Sequence, residues 1–345
     1  MRIFVDAMGG DNAPQAPVEG AIEALRLYPD LEITLAGDLP QVEPCLKDCD
    51  DVRSRITLVD APEVITNDES PVMGVRRKKN SATVIGMLQL KEKQVDGFVS
   101  CGSTGAVLAG GMFRLGRIPG IERPALAPVL PTGTQPGALL IDCGANVDCR
   151  PEYLLQFGMM GSIYMEKVMG VHSPRVALIN NGSEECKGRD LEIETYAMLR
   201  DERENGINFT GNIEAREIPS GDAEVLVTDG FTGNIVLKLY EGLAKFFAGK
   251  MKDLFSGAGK IGGLFVADKL MALKDSFDYK KVGGAVLLGI AKPVIKAHGS
   301  SNGEAFFHAI RQAKNCVDGH VCETITDALA ARKSREKSDS ASEEA

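Results

Sequence analysis

The sequence predicts an α/β fold built on a mostly parallel sheet, and three observations carry that prediction. Short apolar runs rich in Val, Ile and Leu recur along the chain, as strands buried on both faces require. Six of them end in turns of glycine and polar residues, most leading into a helix-spaced segment, the rhythm of strand and crossover helix. With 345 residues, 44% hydrophobic and 25% charged, the chain is long and apolar enough for a large core. We expect one α/β catalytic domain over 1–330, a helical hairpin at about 235–276 and a disordered polar tail over 331–345.

In chain order, Ile3–Asp6 reads as a strand, Ala7–Pro14 as a turn carrying Gly9, Gly10 and Asp11, and about Pro17–Tyr28 as a helix opened by proline. Glu32–Ala36 and Ile56–Val59 read as strands, with a polar helix around Gln41–Cys49 between them. Val64–Lys79 reads as irregular and ends in the basic run Arg76, Arg77, Lys78 and Lys79. Ser81 then opens a helix, and four positive charges beside a helix N-terminus favour recruitment of an anion.

The run from Asp96 to Gly102 leads into Ser103, Thr104 and Gly105 and a helix from Ala106. Ala138–Asp142 is followed by a turn to Asn146. Arg175–Asn180 leads through Glu184 and Lys187 to a helix over Arg189–Glu204. Glu224 to Thr228 runs into Asp229, Thr232, Gly233 and Asn234, and Pro293–Ala297 into His298, Ser300 and Ser301 before a helix over Glu304–Lys314. A strand that turns over glycines into a helix aims backbone N–H groups at one point, which suits an anion or a developing oxyanion. In an open α/β sheet such turns lie at the carboxyl ends of the strands, where ligands bind, so all six are expected to converge on one cleft.

Ile235–Phe255 and Ile261–Leu273 read as two helices joined at a glycine-rich tip, too long for a crossover. Leu264, Phe265 and Val266 lie among Lys250, Lys252, Lys260 and Lys269, a pattern suited to a dimer partner and to shallow contact with a bilayer surface.

Other classes are disfavoured. A net charge of -9 argues against a dedicated nucleic-acid binder. Eight scattered cysteines and no secretory signal indicate a reducing cytoplasm, and no C-x₂-C pair suggests a structural metal. No uninterrupted apolar run of ~18 residues is present to span a membrane. Dinucleotide, Walker, nucleophile-elbow and H-E-x-x-H motifs are also lacking, so an enzyme here would work by holding substrates and stabilising charge, without a covalent nucleophile.

The stretches Asp6–Pro14, Gly102–Ala106, Asp142–Asn146, Glu184–Gly188, Asp229–Asn234 and His298–Ser301, in this order from about Met1 to Leu329, resemble the signatures of the phosphate acyltransferase family. Cys101, Ser103, Cys143 and Asn181 depart from the usual pattern, and Ser103 leaves the part of its side chain in that turn open. The resemblance implies a three-layer αβα Rossmann-like fold similar to isocitrate and isopropylmalate dehydrogenases and phosphotransacetylase, with a protruding helical hairpin. It implies transfer of a fatty acyl group from acyl-acyl-carrier protein to inorganic phosphate, giving acyl phosphate for phospholipid synthesis, with no cofactor and no nucleic acid. It further implies a homodimer joined through the hairpins and a cytoplasmic enzyme held peripherally at the inner face of the cell membrane. A glycerol-3-phosphate acyltransferase that uses acyl phosphate is then a downstream partner.

On that chemistry Lys187 is the expected cation for phosphate or oxyanion, and Asn234 with the N–H groups around Thr232 and Gly233 the expected carbonyl polariser. His298 either protonates the leaving thiolate or caps the turn at Ser300. Asp6, Asp142 and Asp229 are expected to order the glycine turns, with Gly9, Gly10, Asp11, Ser103, Thr104, Gly105, Asn146, Glu184 and Ser300 around the substrates. Arg76–Lys79 would dock the acidic carrier. Rival readings are a phosphotransacetylase-like enzyme using acyl-coenzyme A, a decarboxylating dehydrogenase of the same fold, and a non-catalytic acyl-carrier or membrane scaffold.

Overall fold

The computed structural model describes residues 1–254 and 283–343. Twelve strands among them form two sheets. The first four are β1 (Arg2–Asp6), β2 (Glu32–Gly37), β3 (Ile56–Asp60) and β4 (Gly97–Ser100). With β5 (Ala125–Ala127), β11 (Ala285–Leu288) and β12 (Val294–Lys296) they make a seven-stranded sheet of order β3-β2-β1-β4-β12-β11-β5. It is parallel from β3 to β12, and β11 runs antiparallel to both of its neighbours.

The second sheet has five strands: β6 (Val129–Leu130), β7 (Ala138–Ile141), β8 (Val176–Asn180), β9 (Phe209–Glu214) and β10 (Val225–Val227). Their order is β6-β7-β10-β8-β9, parallel except for the β6 edge. The short stretch Ala125–Leu130 therefore serves both sheets, with only Pro128 between its two strands. The largest apolar cluster also joins them, packing Ile3, Val5 and Val99 in one core with Leu139, Ile141 and Val225.

Helices cover the faces: α1 (Gln15–Leu27), α2 (Leu39–Val42), α3 (Pro71–Arg77), α4 (Ala82–Lys91), α5 (Thr104–Gly110), α6 (Pro151–Lys167), α7 (Asp190–Asp201), α8 (Gly230–Leu254), α9 (Gly303–Asp318) and α10 (Val321–Glu343). Apolar runs ending at glycine turns thus become parallel strands, and the mostly parallel α/β expectation holds, with two sheets in place of one.

Several local expectations are corrected. The helix expected over Gln41–Cys49 is only α2 plus a 3₁₀ turn at Glu43–Cys45, because Pro44 withdraws the N–H that would continue it. Within the segment read as irregular, α3 forms with Pro71 at its first position, where a missing donor costs nothing. Residues 331–343 continue α10 instead of forming a disordered tail: Ala, Arg, Lys and Glu favour helix, and Arg332 Nε lies 2.6 Å from Glu202 Oε1. The first hairpin helix is α8; the second, with Leu264, Phe265 and Val266, falls outside the described residues.

Candidate active site

The six turns gather in two groups of three, one at each sheet. In the seven-stranded sheet the turns after β1, β4 and β12 interlock. Asp6 is buried and accepts hydrogen bonds from Ser100 Oγ (2.8 Å) and Met8 N (3.1 Å). Asp11 N donates to Gly299 O (2.8 Å), and Asn12 Nδ2 donates to Ser301 O (3.0 Å). Gly10 has φ +94°, and a Cβ there would lie 2.8 Å from Gly299 O, so only glycine lets these turns touch. His298 Nδ1 accepts from Ser300 N (3.2 Å) and lies 2.9 Å from Ser300 Oγ. This ring nitrogen caps the serine turn, one of the two roles expected for His298.

In the five-stranded sheet the turns after β7, β8 and β10 meet. Asp142 is wholly buried and accepts from Leu126 N (2.8 Å), Asn146 N (2.7 Å) and Asn146 Nδ2 (3.1 Å). Asn146 Nδ2 also donates to Pro124 O, so its amide is spent on the turn. Asp229 accepts from Thr232 N (2.7 Å) and from Arg189 Nη2 (2.6 Å). Burial pushes the carboxyls of Asp6 and Asp142 above the ordinary range, against the pull of the donors each accepts. Each of the three aspartates accepts a backbone N–H from its own turn.

The start of α8 is packed hard onto the end of β7. A Cβ on Gly233 would lie 1.9 Å from Asp142 O, and one on Gly144 would lie 2.8 Å from Asn234 Nδ2. Asn234 therefore sits directly over the Gly144 backbone. Gly233 N donates to Asp229 O (2.9 Å) and Thr232 N to the Asp229 carboxylate, so neither N–H is left to polarise a carbonyl; the Asn234 amide remains. Lys187 is half-exposed, with Nζ 3.9 Å from Glu184 Oε1.

Between the two groups runs an apolar cleft, with about 840 Å³ of open space that continues into solvent. Leu126, Val129, Leu130 and Cys143 form one side, and Leu237, Tyr240 and Ala244 of α8 another. Tyr240 is fixed by donating its hydroxyl to Pro131 O (2.6 Å). Thr104, Lys296 and His298 bring polar groups from the seven-stranded sheet. Glu241 adds a carboxylate from α8, whereas Asn234, one turn before Leu237, and Lys187 are not among the described residues that line the cleft.

Other expected residues take different work. A Cβ on Gly105 would meet Pro71 Cγ at 2.5 Å, so Gly105 serves the packing of α5 on α3. Ser103 is buried at the N-cap of α5, and its side chain makes no capping bond. The basic run is not one face: Arg76, Arg77 and Lys79 are exposed, whereas Lys78 Nζ is held by Glu69 Oε1 (2.6 Å) and Val64 O (2.6 Å). Arg76 and Arg77 close the C-terminal turn of α3, and Ser81 caps its own helix by accepting from Val84 N (3.4 Å).

Sequence reasoning missed Arg189 and Lys296. The available signal for Lys296 was a charge at the end of the apolar run Pro293-Val-Ile. For Arg189 it was Glu192 three residues on, which Arg189 also engages.

A family profile described as "Fatty acid synthesis protein" matches residues 1–324. A phosphate acyltransferase of Oceanobacillus iheyensis is 48% identical over 328 residues, covering 94% of this chain and 96% of that protein. The phosphate acyltransferase of Bacillus subtilis is 46% identical over 338 residues, covering 97% of this chain and 100% of its own. Among solved structures, a phosphotransacetylase from Streptococcus pyogenes superposes with a TM-score of 0.61 at 18% identity, covering 92% of this chain and 94% of its own. The EutD phosphotransacetylase from Staphylococcus aureus gives 0.57 at 18%, with 91% and 94% covered. At such identities the two structures speak for the fold alone.

Proposed function

The chain belongs to the phosphate acyltransferase family, and from that premise we propose that it transfers a fatty acyl group from the thioester of an acyl-acyl-carrier protein to inorganic phosphate, forming acyl phosphate for phospholipid synthesis. The observation that carries this reading is the cleft between the sheets. Its walls are apolar enough for an acyl chain, and Thr104, Lys296, His298 and Glu241 bring polar groups to it.

The chemistry needs positioning more than proton abstraction. Hydrogen phosphate is anionic near neutrality, and one of its oxygens attacks the thioester carbonyl. The C–O bond forms, the carbonyl oxygen takes up negative charge, and collapse expels the carrier thiolate, which receives the phosphate proton. Asn234, lying over Gly144, offers its amide to the carbonyl oxygen as the charge develops. Lys187, loosely paired with Glu184, is free to swing to an anionic substrate at the solvent side. His298, with Nδ1 engaged by Ser300, serves chiefly to set the serine turn.

Assembly and location form part of the same proposal. Phe231, Ile235, Leu239, Leu243, Phe246 and Phe247 are exposed and recur every three or four residues along α8, an apolar face that a second copy of the chain would cover. Among the described residues no helix is long and apolar enough to cross a membrane. Contact with a bilayer surface would fall to the segment carrying Leu264, Phe265 and Val266, from which product would pass to an acyl-phosphate-using glycerol-3-phosphate acyltransferase. Exposed Arg76, Arg77 and Lys79 supply positive charge for an acidic carrier.

Mass spectrometry of the purified protein with acyl-acyl-carrier protein, with and without inorganic phosphate, tests the reading. Phosphate-dependent acyl phosphate is expected. Product from acyl-coenzyme A alone would move the assignment to a phosphotransacetylase-like donor, and no product from either would overturn it.

A further inference from the structure

Lys296 closes β12, lines the cleft and is only 8% exposed. Its Nζ donates to Ala297 O, the one acceptor it reaches among the described residues, and no carboxylate oxygen there lies within 4.0 Å. Two of its three N–H bonds are therefore left without an acceptor among the described residues. Asp6, Asp11 and the Cys101 thiol act on it only from farther away, and burial lowers its pKa from the ordinary lysine value. A buried ammonium is costly unless an anion or several acceptors meet it. Lys187 is in the opposite condition, half-exposed with a carboxylate of its own nearby.

We propose that Lys296 is the binding residue that receives inorganic phosphate, its ammonium meeting the phosphate oxygens at the inner end of the cleft beside Thr104 and His298. This assignment rests on acyl transfer to phosphate as the reaction. It makes Lys296 the inner cation and leaves Lys187 at the solvent side. The phosphodiester of a carrier's phosphopantetheine arm offers the same chemistry, and the two sources are separable by which Michaelis constant moves.

Lys296→Met removes the charge while keeping most of the side-chain volume. The expected result is a rise of about tenfold or more in KM for phosphate, the scale of losing hydrogen bonds to a charged group. KM for the acyl donor stays within about twofold. A phosphate KM within about twofold of the parent's, or a rise confined to the acyl donor, would overturn the assignment.

A second measurement needs no variant. Cyanate carbamoylates neutral amines, and peptide mass spectrometry of the parental protein follows Lys296 and Lys187 separately. Saturating inorganic phosphate should slow modification of Lys296 more than that of Lys187, and equal slowing, or none, would sink the idea. If the parental protein forms no acyl phosphate, the proposed reaction fails, yet the carbamoylation pattern still decides whether phosphate sits at Lys296.

Discussion

Arg189 Nη2 donates to Asp229 Oδ2 across 2.6 Å, tying the start of α7 to the turn that launches α8. The carboxylate is buried and the guanidinium largely exposed, so one solvent-facing side chain neutralises an interior charge. Removing it leaves Asp229 with Thr232 as its one donor residue among the described residues.

Arg189→Met should therefore cost about 1–3 kcal/mol, the range for stranding a buried acceptor, and the exposed guanidinium places it toward the lower end. The urea midpoint measures it. An unchanged midpoint would mean that water replaces Arg189 without loss.

On the proposed mechanism, in which Asn234 donates to the developing oxyanion, Asn234→Ala should lower turnover by ~10²–10³ while the protein stays folded. Steady-state kinetics beside far-ultraviolet circular dichroism checks both halves. Parental turnover would take Asn234 out of the mechanism.

Gly233→Ala should be poorly tolerated for a different reason. The added Cβ would lie 1.9 Å from Asp142 O, a backbone atom that cannot swing away. A loss of about 3 kcal/mol, the upper part of the overpacking range, should appear as a lower thermal midpoint. A midpoint equal to the parent's would mean that α8 shifts without cost.

Lys296 gives a pH signature in stability. Burial lowers its folded pKa from the usual 10.5, so between the two values the unfolded chain holds the extra proton and parental stability rises with pH. Below that window the cost of the buried ammonium is present in full. Lys296→Met should thus be more stable than the parent near neutrality, and its advantage should shrink as the pH approaches 10.5. Asp6, Asp11 and Cys101 face the site, and in the variant the Cys101 thiol, pushed up by burial to about 12, also loses the lowering pull of Lys296. Urea midpoints over a pH series read it, and an advantage independent of pH would contradict the depressed value.

Leu239→Glu with Phe246→Glu places two charges on the exposed face of α8. Light scattering should show the mass in solution fall by half. A parental mass would assign the face to some other cover.

The strand, turn and helix units were legible because a buried parallel strand must be apolar throughout and its turn must use residues such as Gly10, which holds φ +94°. The three aspartates were legible as turn-ordering groups from their places at strand ends. What one sequence does not carry is partnership across long separations. The division into two sheets depends on β5 and β6, three and two residues long and built of Ala, Leu and Val like their surroundings. Helix α6 buries residues around much of its circumference, so it offers no amphipathic stripe to read. Lys296 escaped because only the folded chain reveals that its charge is enclosed and, among the described residues, lacks a carboxylate.

The strand order of the larger sheet also governs how this protein can be made. Strands β11 and β12, from residues 285–296, are inserted between β4 and β5, which lie within residues 97–127. While the chain is being synthesised, β4 has an open edge on the side where β12 will dock, and it keeps that edge until most of the polypeptide has left the ribosome. Two interior places of the sheet are thus filled last, by a late segment threading beside strands that emerged long before. Such non-local closure is slow, and it leaves an unpaired strand edge exposed on the nascent chain.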